Sequence, residues 1–268
     1  MLDYIKSELY RVTHTESIYV LTAVIAALCV GINFVLVVGN QAFGTAALHY
    51  NTTSTSFGFL VGSPMLFCYG AFIIAYTLYE GSQRSQDLKN TIAYGVSRAK
   101  IFLGQCIVGT LTAIVSMSVI LAIYIGSAYM LLDNSGAIEL RDILTELPAI
   151  ALVSIAALVL SILLLRLLEK GLLALVVWIT ILIIIPSLFV FASAQSEVIG
   201  QIAGWMPQNF FDIQSKLTEK VLSTPMTSEA YVTFWDTAAG MARCVVSGAA
   251  GIIVFIISGI LALRRKNI

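Results

Sequence analysis

Residues 80–100 read EGSQRSQDLKNTIAYGVSRAK, a polar segment that separates two long apolar runs of the chain. The chain has 268 residues, of which 59% are hydrophobic and 11% charged, and its mean hydropathy is +0.93. Soluble domains are far more polar than this. The composition therefore predicts an integral membrane protein, in which residues 80–100 lie outside the hydrocarbon region.

Apolar runs of about 18 or more residues with few charges predict membrane-spanning helices. The sequence contains six such runs, at residues 18–38, 57–79, 101–132, 148–165, 172–192 and 241–263. The third run exceeds the ~20 residues that a bilayer requires, so we expect this helix to tilt or to project beyond the membrane. The expected fold is an all-α integral membrane protein with six transmembrane helices, in which residues 1–268 form a single transmembrane domain.

The distribution of lysine and arginine predicts the orientation, because cytoplasmic segments carry an excess of both. If both termini are cytoplasmic, the inner side carries 11 of these residues and the outer side carries 4. The inner set is Lys6, Arg11, Arg84, Lys89, Arg98, Lys100, Arg166, Lys170, Arg264, Arg265 and Lys266, and the outer set is Arg141, Lys216, Lys220 and Arg243. We therefore predict that both termini and residues 80–100 are cytoplasmic.

The N-terminal residues 1–16 have the spacing of an amphipathic helix. One face holds the apolar side chains and the other holds the charged ones, namely Leu2, Ile5, Leu9 and Val12 against Asp3, Lys6, Glu8 and Arg11. We predict a helix that lies in the inner membrane interface. The alternative is a solvated amphipathic tail.

Residues 193–240 form the longest segment between two predicted spans, and this segment is too apolar for a solvated linker. Its apolar residues concentrate at 197–217, and Pro207 interrupts that stretch in the middle. We predict two short helices that dip into the outer leaflet as a re-entrant loop. Apolar side chains are unfavourable in water, and an irregular backbone with unpaired polar groups is unfavourable in lipid. A small extracellular subdomain is the alternative.

Residues 85–95 of the opening segment can form a short helix. Leu88 and Ile92 then share one face, and Gly95 suits the position after the helix end. A helix of about two turns is not stable alone, so it must pack on a partner in the cytoplasm. Arg98 and Lys100 follow at the start of the third span, where we expect them to anchor that span among the lipid headgroups.

This layout of spans, interfacial helix, cytoplasmic helix and re-entrant loop resembles the ABC-2-type permease family. The stretch KNTIAYGVSRAKIFLGQ is similar to the coupling-helix region of its small bacterial members, in which a glycine, a Ser-Arg pair and the first residue of the third span recur. These correspond to Gly95, Ser97 with Arg98, and Ile101. The N-terminal YIKSELYR and the outer WMPQNFF also resemble that family, and the resemblance covers essentially the whole chain.

The resemblance implies the permease subunit of an ATP-driven exporter, expected in the bacterial plasma membrane. A second permease subunit, identical or related, and a cytoplasmic ABC ATPase that binds ATP and Mg²⁺ are the implied partners. The implied contact with the ATPase consists of Ser85, Gln86, Asp87, Leu88, Lys89, Thr91, Ile92, Tyr94 and Gly95. The implied supporting charges are Glu80, Arg84 and Arg98, for which the alternative is ordinary solvated loop charges.

Six polar side chains in the first two spans are candidates for a translocation path, namely Thr22, Asn33, Ser63, Tyr69, Tyr76 and Thr77. Each can equally satisfy itself against a helix backbone or a neighbouring span. The apolar chain favours a hydrophobic or amphipathic cargo, such as a peptide, an antibiotic or a lipid-like molecule. The resemblance implies antimicrobial-peptide export or self-protection. Small residues four apart at 58–62 and 247–251 predict close approaches between helices.

Other classes of function find less support in the sequence. There is no GxxxxGK[ST] phosphate loop and no HExxH motif, so we expect this chain to be neither an ATPase nor any other enzyme. The spacing of the four cysteines indicates no metal site, and the net charge of zero gives no reason to expect nucleic acid. The central parts of the spans lack ionisable residues, which argues against an ATP-independent secondary transporter. A non-transporting scaffold or sensor also remains an alternative.

Overall fold

The computed structural model describes residues 2–43, 51–84, 97–136, 138–168, 170–193, 196–211, 235 and 237–265. This part of the chain is helical and contains no β-strand beyond a single bridge. Its elements are α1 (Leu2–Thr13), α2 (Glu16–Phe43), α3 (Thr53–Val61), α4 (Met65–Arg84), α5 (Arg98–Leu131), α6 (Leu140–Leu168), α7 (Gly171–Ile179), a π-helical turn (Thr180–Ile184), α8 (Ile185–Ser193), α9 (Glu197–Ala203), α10 (Pro207–Phe211) and α11 (Ala238–Arg265).

Five described segments are long and apolar enough to cross a membrane, and the bent pair α3–α4 brings the number to six. The five are Glu16–Gln41, Arg98–Leu131, Leu140–Leu168, Gly171–Ser193 and Ala238–Leu263. The prediction of an all-helical protein is confirmed for the described residues, and their five to six long apolar segments match the six predicted spans if the bent pair is one span. The helices are compatible with a multi-pass membrane protein.

Helix α6 is the centre of the bundle. Within its most apolar window 67% of the residues are buried, compared with 11% in α2. The most extensive helix contacts are those of α6 with α11 and with α4, whereas α2 lies along α5 at the periphery. The remaining surface of α2 is apolar and exposed, which suits a helix that faces lipid.

Glycine allows α11 to approach the backbone of α6. A Cβ atom at Gly248 would lie 2.8 Å from the backbone carbonyl carbon of Leu152, and one at Gly251 would lie 3.1 Å from the Cβ atom of Ala156. The close approach predicted for residues 247–251 is therefore confirmed. At Gly58 the nearest atom outside its own helix is the side-chain Cδ1 of Ile138 at 3.6 Å, an ordinary contact.

The second span is not the continuous helix that we predicted over residues 57–79. Helices α3 and α4 are bent by 69° across residues 62–64. Pro64 precedes α4 directly, and a proline cannot donate a backbone hydrogen bond and disfavours the helical conformation of the residue before it. The hydrophobic run continues through this break, which is why hydropathy alone did not reveal it.

The fourth span begins at Leu140, and Pro148, its predicted start, lies inside α6. The backbone N–H of Glu139 donates to Oδ2 of Asp142 at 3.1 Å, which orders the chain at the helix start. The additional turns bury Ile143 and Glu146 against the bundle. Pro148 is the ninth residue of α6, so it removes one internal hydrogen bond, the one to the carbonyl of Leu144, without ending the helix.

The buried face of α1 also differs from the predicted apolar face. Val12 is buried and Ile5 packs on the core, but Leu2 is 73% exposed and Leu9 is 40% exposed, whereas Glu8 is buried. Glu8 tolerates burial because the guanidinium of Arg11 donates to both of its carboxylate oxygens, at 2.8 and 3.2 Å. A charged pair therefore replaces part of the apolar face.

We call the end of the bundle at which α1 lies the proximal end. There α4, α6 and α11 end, and α5 and α7 begin. The opposite end is the distal end, where the chain before α3 is fixed to the chain after α5. The backbone N–H of Thr53 donates to the carbonyl of Asp133 at 3.0 Å, and the N–H of Asp133 donates to the carbonyl of Asn51 at 2.8 Å.

Two short helices, α9 and α10, lie in the described part of the predicted outer loop at residues 193–240. Pro207 begins α10. The side-chain amide of Asn209 donates to the carbonyls of Pro186 and Ala203, at 3.1 and 2.9 Å. These bonds fix the two short helices to the segment Gly171–Ser193. Residues 212–234 of the loop lie outside the described residues, and its re-entrant depth remains a prediction.

Candidate functional site

The predicted contact with an ATPase, Ser85, Gln86, Asp87, Leu88, Lys89, Thr91, Ile92, Tyr94 and Gly95, lies outside the described residues. The structure describes the two helices that flank it. Helix α4 ends at Arg84 and α5 begins at Arg98, both at the proximal end. The chain between them thus connects two central helices of the bundle at that end.

Two of the six candidate path residues bond to their own helix. The hydroxyl of Thr22 donates to the carbonyl of Ile18 at 2.8 Å, and that of Thr77 donates to the carbonyl of Ile73 at 2.9 Å. Ser63 lies in the break between α3 and α4. These three side chains do not converge on a common cavity.

Asn33 belongs to a buried hydrogen-bond network in the distal half of the bundle. It is fully buried, and its amide nitrogen donates to the carbonyl of Tyr124 at 3.1 Å and to Oγ of Ser127 at 2.8 Å. Its amide oxygen accepts from the hydroxyl of Ser56 at 2.6 Å. The Asn33 amide therefore joins α2, α3 and α5, and satisfied buried amides of this kind favour one specific packing arrangement.

Tyr69 and Tyr76 are brought together in a groove of about 530 Å³ between α4 on one side and α7 with the π-helical turn on the other. We call it the aromatic groove. It is lined by Tyr69, Phe72, Ile73, Tyr76, Gly171, Leu172, Leu175, Trp178, Ile179 and Ile183. All of these residues belong to segments of the apolar spans, and none is charged.

Trp178 is the rigid element of the aromatic groove. It is fully buried, and its indole N–H donates to the carbonyl of Ala157 in the central helix α6 at 3.3 Å. The ring centroids of Tyr69 and Phe72 lie 5.7 and 5.2 Å from that of Trp178, with tilted ring planes. Tilted aromatic pairs at these distances are attractive and combine apolar surface with polar edges.

The π-helical turn widens the helical segment Gly171–Ser193 beside the aromatic groove. Pro186 has no N–H to donate to the carbonyl of Leu182, four residues before it. The N–H of Ile185 instead donates to the carbonyl of Thr180, five residues before it. One extra residue is thus accommodated without ending the helix, and such π turns occur frequently at functional sites.

Glu80 lies at the proximal end of the groove, against the start of α7. A Cβ atom at Gly171 would come within 2.6 Å of Oε1 of Glu80 and within 2.5 Å of the Tyr76 ring. A carboxylate beside the first residues of a helix interacts favourably with the helix dipole. The absence of a side chain at Gly171 is therefore what allows α4 and α7 to meet here.

A polar cluster lies at the proximal end, where α1, α4, α5 and α6 meet. Two guanidinium groups flank the ring of the buried Tyr79, with the Cζ atom of Arg11 5.8 Å and that of Arg166 5.7 Å from its centroid. Nε of Arg166 donates to Oε1 of Gln105 at 2.8 Å, and the hydroxyl of Tyr79 donates to the carbonyl of Gln105 at 2.9 Å. We call these residues, with Glu8, the proximal cluster.

Helix α1 contributes both packing and charge to the proximal cluster. The ring of Tyr4 lies over Gly104, where a Cβ atom would come within 2.6 Å of it. Burial, followed by the charge of Glu8, raises the pKa of Tyr4 to about 12. Burial alone would lower the pKa of Arg11, but the hydrogen bonds and charge of Glu8 raise it above its ordinary value. Both groups therefore keep their usual protonation at neutral pH.

We expect Arg166→Met to lower the free energy of unfolding by about 2–3 kcal/mol, because the side-chain carbonyl of Gln105 loses a charged donor inside the bundle. Thermal unfolding of the purified protein measures this loss. The matched control is Arg141→Met, since Arg141 is exposed in the first turn of the same helix and its loss should change stability by no more than about 0.5 kcal/mol. Equal effects of the two substitutions would contradict the assignment.

Sequence reasoning missed Arg166, Gln105 and Trp178 as members of a site. Arg166 was expected on the inner side as a topology signal, and its burial at 8% exposure depends on a tyrosine and a glutamine from two other helices. The available signal for Trp178 was the one tryptophan of its span, whose other aromatic residues are Phe189 and Phe191. Neither pattern identifies a partner in another helix.

No model of a known protein family matches the sequence, and no curated protein matches it. The aromatic groove and the proximal cluster, together with the sequence resemblance around residues 80–100, are the features from which a function can be inferred.

Proposed function

We propose that the chain is the permease subunit of an ATP-driven exporter and that the aromatic groove forms part of the surface that the cargo contacts. The groove is the observation that supports this most directly. Its lining is apolar and aromatic, with two tyrosine hydroxyl groups, Tyr69 and Tyr76, as polar groups. Such a lining suits a hydrophobic or amphipathic molecule, because burial of apolar surface contributes most of the binding free energy of such ligands.

The ATP and Mg²⁺ belong, in this proposal, to a separate cytoplasmic ABC ATPase that contacts residues 85–95. A second permease subunit, identical or related, completes the path. Helix α4 connects the two functions, since it carries the groove residues Tyr69, Phe72 and Tyr76 and leads directly into the predicted ATPase contact. Closure of the ATPase dimer would then displace α4 relative to α7 as a rigid body.

A pair of adjacent leucines provides the test. Leu172 lines the aromatic groove and is 74% exposed, whereas Leu173 is 44% exposed and is not among the lining residues. We expect a P-loop ATPase to co-purify with the chain, and hydrophobic peptides to stimulate its ATP hydrolysis when the two are reconstituted together. Leu172→Trp fills part of the groove and should raise the half-stimulating peptide concentration roughly tenfold, which corresponds to about 1.4 kcal/mol.

Leu173→Trp adds the same indole one residue further along and should leave the half-stimulating concentration unchanged. An equal rise of the half-stimulating peptide concentration in both variants would mean that the aromatic groove does not contact the peptide. Stimulation by simple sugars or inorganic ions, with none by hydrophobic peptides, would contradict the proposed class of cargo.

A further inference from the structure

A second cavity, of about 550 Å³, lies at the distal end between α9 and α11. Unlike the aromatic groove, it is lined by polar groups. The lining residues are Ser193, Glu197, Gly200, Gln201, Gly204, Trp205 and Arg243, of which the two glycines contribute only backbone. We call it the distal pocket.

The pocket is open because of its two glycines. A Cβ atom at Gly204 would meet nothing closer than two backbone carbonyl oxygens at 3.5 and 3.6 Å, and one at Gly200 would meet only the Cβ of Ser193 at 3.5 Å. Gly204 has an ordinary right-handed conformation, with φ −67° and ψ −8°. Neither glycine is therefore needed for the backbone, and larger side chains there would occupy the cavity.

Arg243 and Glu197 line the same cavity without pairing. No salt bridge joins either of them to another described residue, and the contact that Arg243 makes is with the ring of Trp205, whose centroid lies 5.9 Å from its Cζ atom. The backbone of Trp205 is held to α11, since its carbonyl accepts a hydrogen bond from the hydroxyl of Ser247 at 3.2 Å. The cavity thus presents a cation and an anion that are both available to a ligand.

The position of Arg243 along α11 places the pocket at the level of the lipid headgroups. Arg243 and Arg264 are 21 residues apart in one continuous helix, which corresponds to about 31 Å at 1.5 Å per residue. This length equals the ~30 Å thickness of the hydrocarbon core. If the helix end at position 264 lies at the surface of the proximal leaflet, Arg243 lies among the headgroups of the distal leaflet, where tryptophan is also enriched.

We propose that the distal pocket binds the headgroup of a phospholipid that carries both a phosphodiester and a primary amine. Arg243 donates to the phosphate oxygens, because its planar guanidinium matches phosphate geometry. Glu197 accepts hydrogen bonds from the ammonium group, and the indole of Trp205 lies between headgroup and acyl chains. This assignment does not depend on the proposed export function.

Native mass spectrometry of the purified protein with added short-chain lipids tests the site. We expect phosphatidylethanolamine to bind more tightly than phosphatidylglycerol, and inorganic phosphate to bind more weakly than either. Arg243→Gln should weaken both lipids about tenfold, since each loses a charge-assisted phosphate contact. Glu197→Gln should weaken phosphatidylethanolamine alone, and Gly204→Leu should weaken both lipids by filling the cavity.

Arg141→Gln is the control, because Arg141 is exposed at the same end of the bundle and lies outside the pocket. A loss of lipid in this variant equal to that in Arg243→Gln would show that general surface charge is responsible and would overturn the proposal. Unchanged binding in Arg243→Gln, or equal affinity for inorganic phosphate, would also overturn it. Arg243→Lys, which keeps the charge but lacks the fork of donors, replaces Arg243→Gln if the latter does not elute as a single species.

Discussion

Replacing Gly248 with leucine is expected to leave little folded protein after extraction into detergent. Even the first added carbon atom would lie 2.8 Å from backbone atoms of Leu152 and Val153, which cannot rotate away as a side chain can. Overpacking in a core costs about 1–3 kcal/mol or more, and here it separates α11 from α6 along the most extensive helix contact. The fraction of monodisperse protein and the midpoint of thermal unfolding measure the effect.

Gly31 and Gly126 provide the controls, because nothing lies within 4 Å of a Cβ atom built on either. Alanine at these positions should be neutral or stabilising, since glycine in a helix interior is less favourable than alanine by up to about 1 kcal/mol. If Gly248→Leu unfolds at the same temperature as Gly31→Ala, the close contact between α6 and α11 does not stabilise the bundle.

Changing Leu88 and Ile92 together to aspartate is expected to abolish co-purification of the chain with the proposed ATPase subunit. On a helix these two residues share a face, and two carboxylates there would have to lose water in an otherwise apolar contact. A pull-down with quantification of the ATPase measures the loss. The double substitution Asn90→Asp and Ala93→Asp adds the same charge on other faces and should leave the ATPase bound.

A cysteine crosslinking scan over residues 85–95 tests the same contact through the proximity of the two proteins, whereas the pull-down tests how strongly they associate. The native cysteines Cys68, Cys106 and Cys244 are buried, so Cys29, which is partly exposed, is the native thiol to replace first. We expect crosslinks to the ATPase with the periodicity of a helix. The absence of a crosslink at every position in this window would refute the proposed partner contact.

The long apolar helices could be predicted because hydropathy is a sum over many residues, and no single contact decides it. Their interruptions could not be located in the same way. Pro64 breaks a continuous apolar run, whereas Pro148 lies inside α6 without ending it. Charged residues precede Pro148, so the hydropathy criterion began the span at that proline, whereas the residues around Pro64 are apolar and the same criterion continued the helix through it.

The candidate site could be predicted in part. Tyr69 and Tyr76 are seven residues apart, two turns of one helix, and they line one groove. The opposite wall, with Trp178, depends on how α7 rotates against α4, which a single sequence does not specify. The same reason applies to α1, where the buried position of Glu8 follows from Arg11 and the tyrosine beneath it and not from helical spacing.

The proximal cluster has a consequence for the order of events during synthesis. Arg11 and Arg166 both lie beside the ring of Tyr79, and Arg166 follows Arg11 by 155 residues in the chain. At about 5–20 residues per second, the ribosome needs roughly 8–30 seconds to supply it. The cluster therefore cannot be completed by α1 and its nearest neighbours along the chain, and the ring of Tyr79 gains its second cation only after α6 has been synthesised.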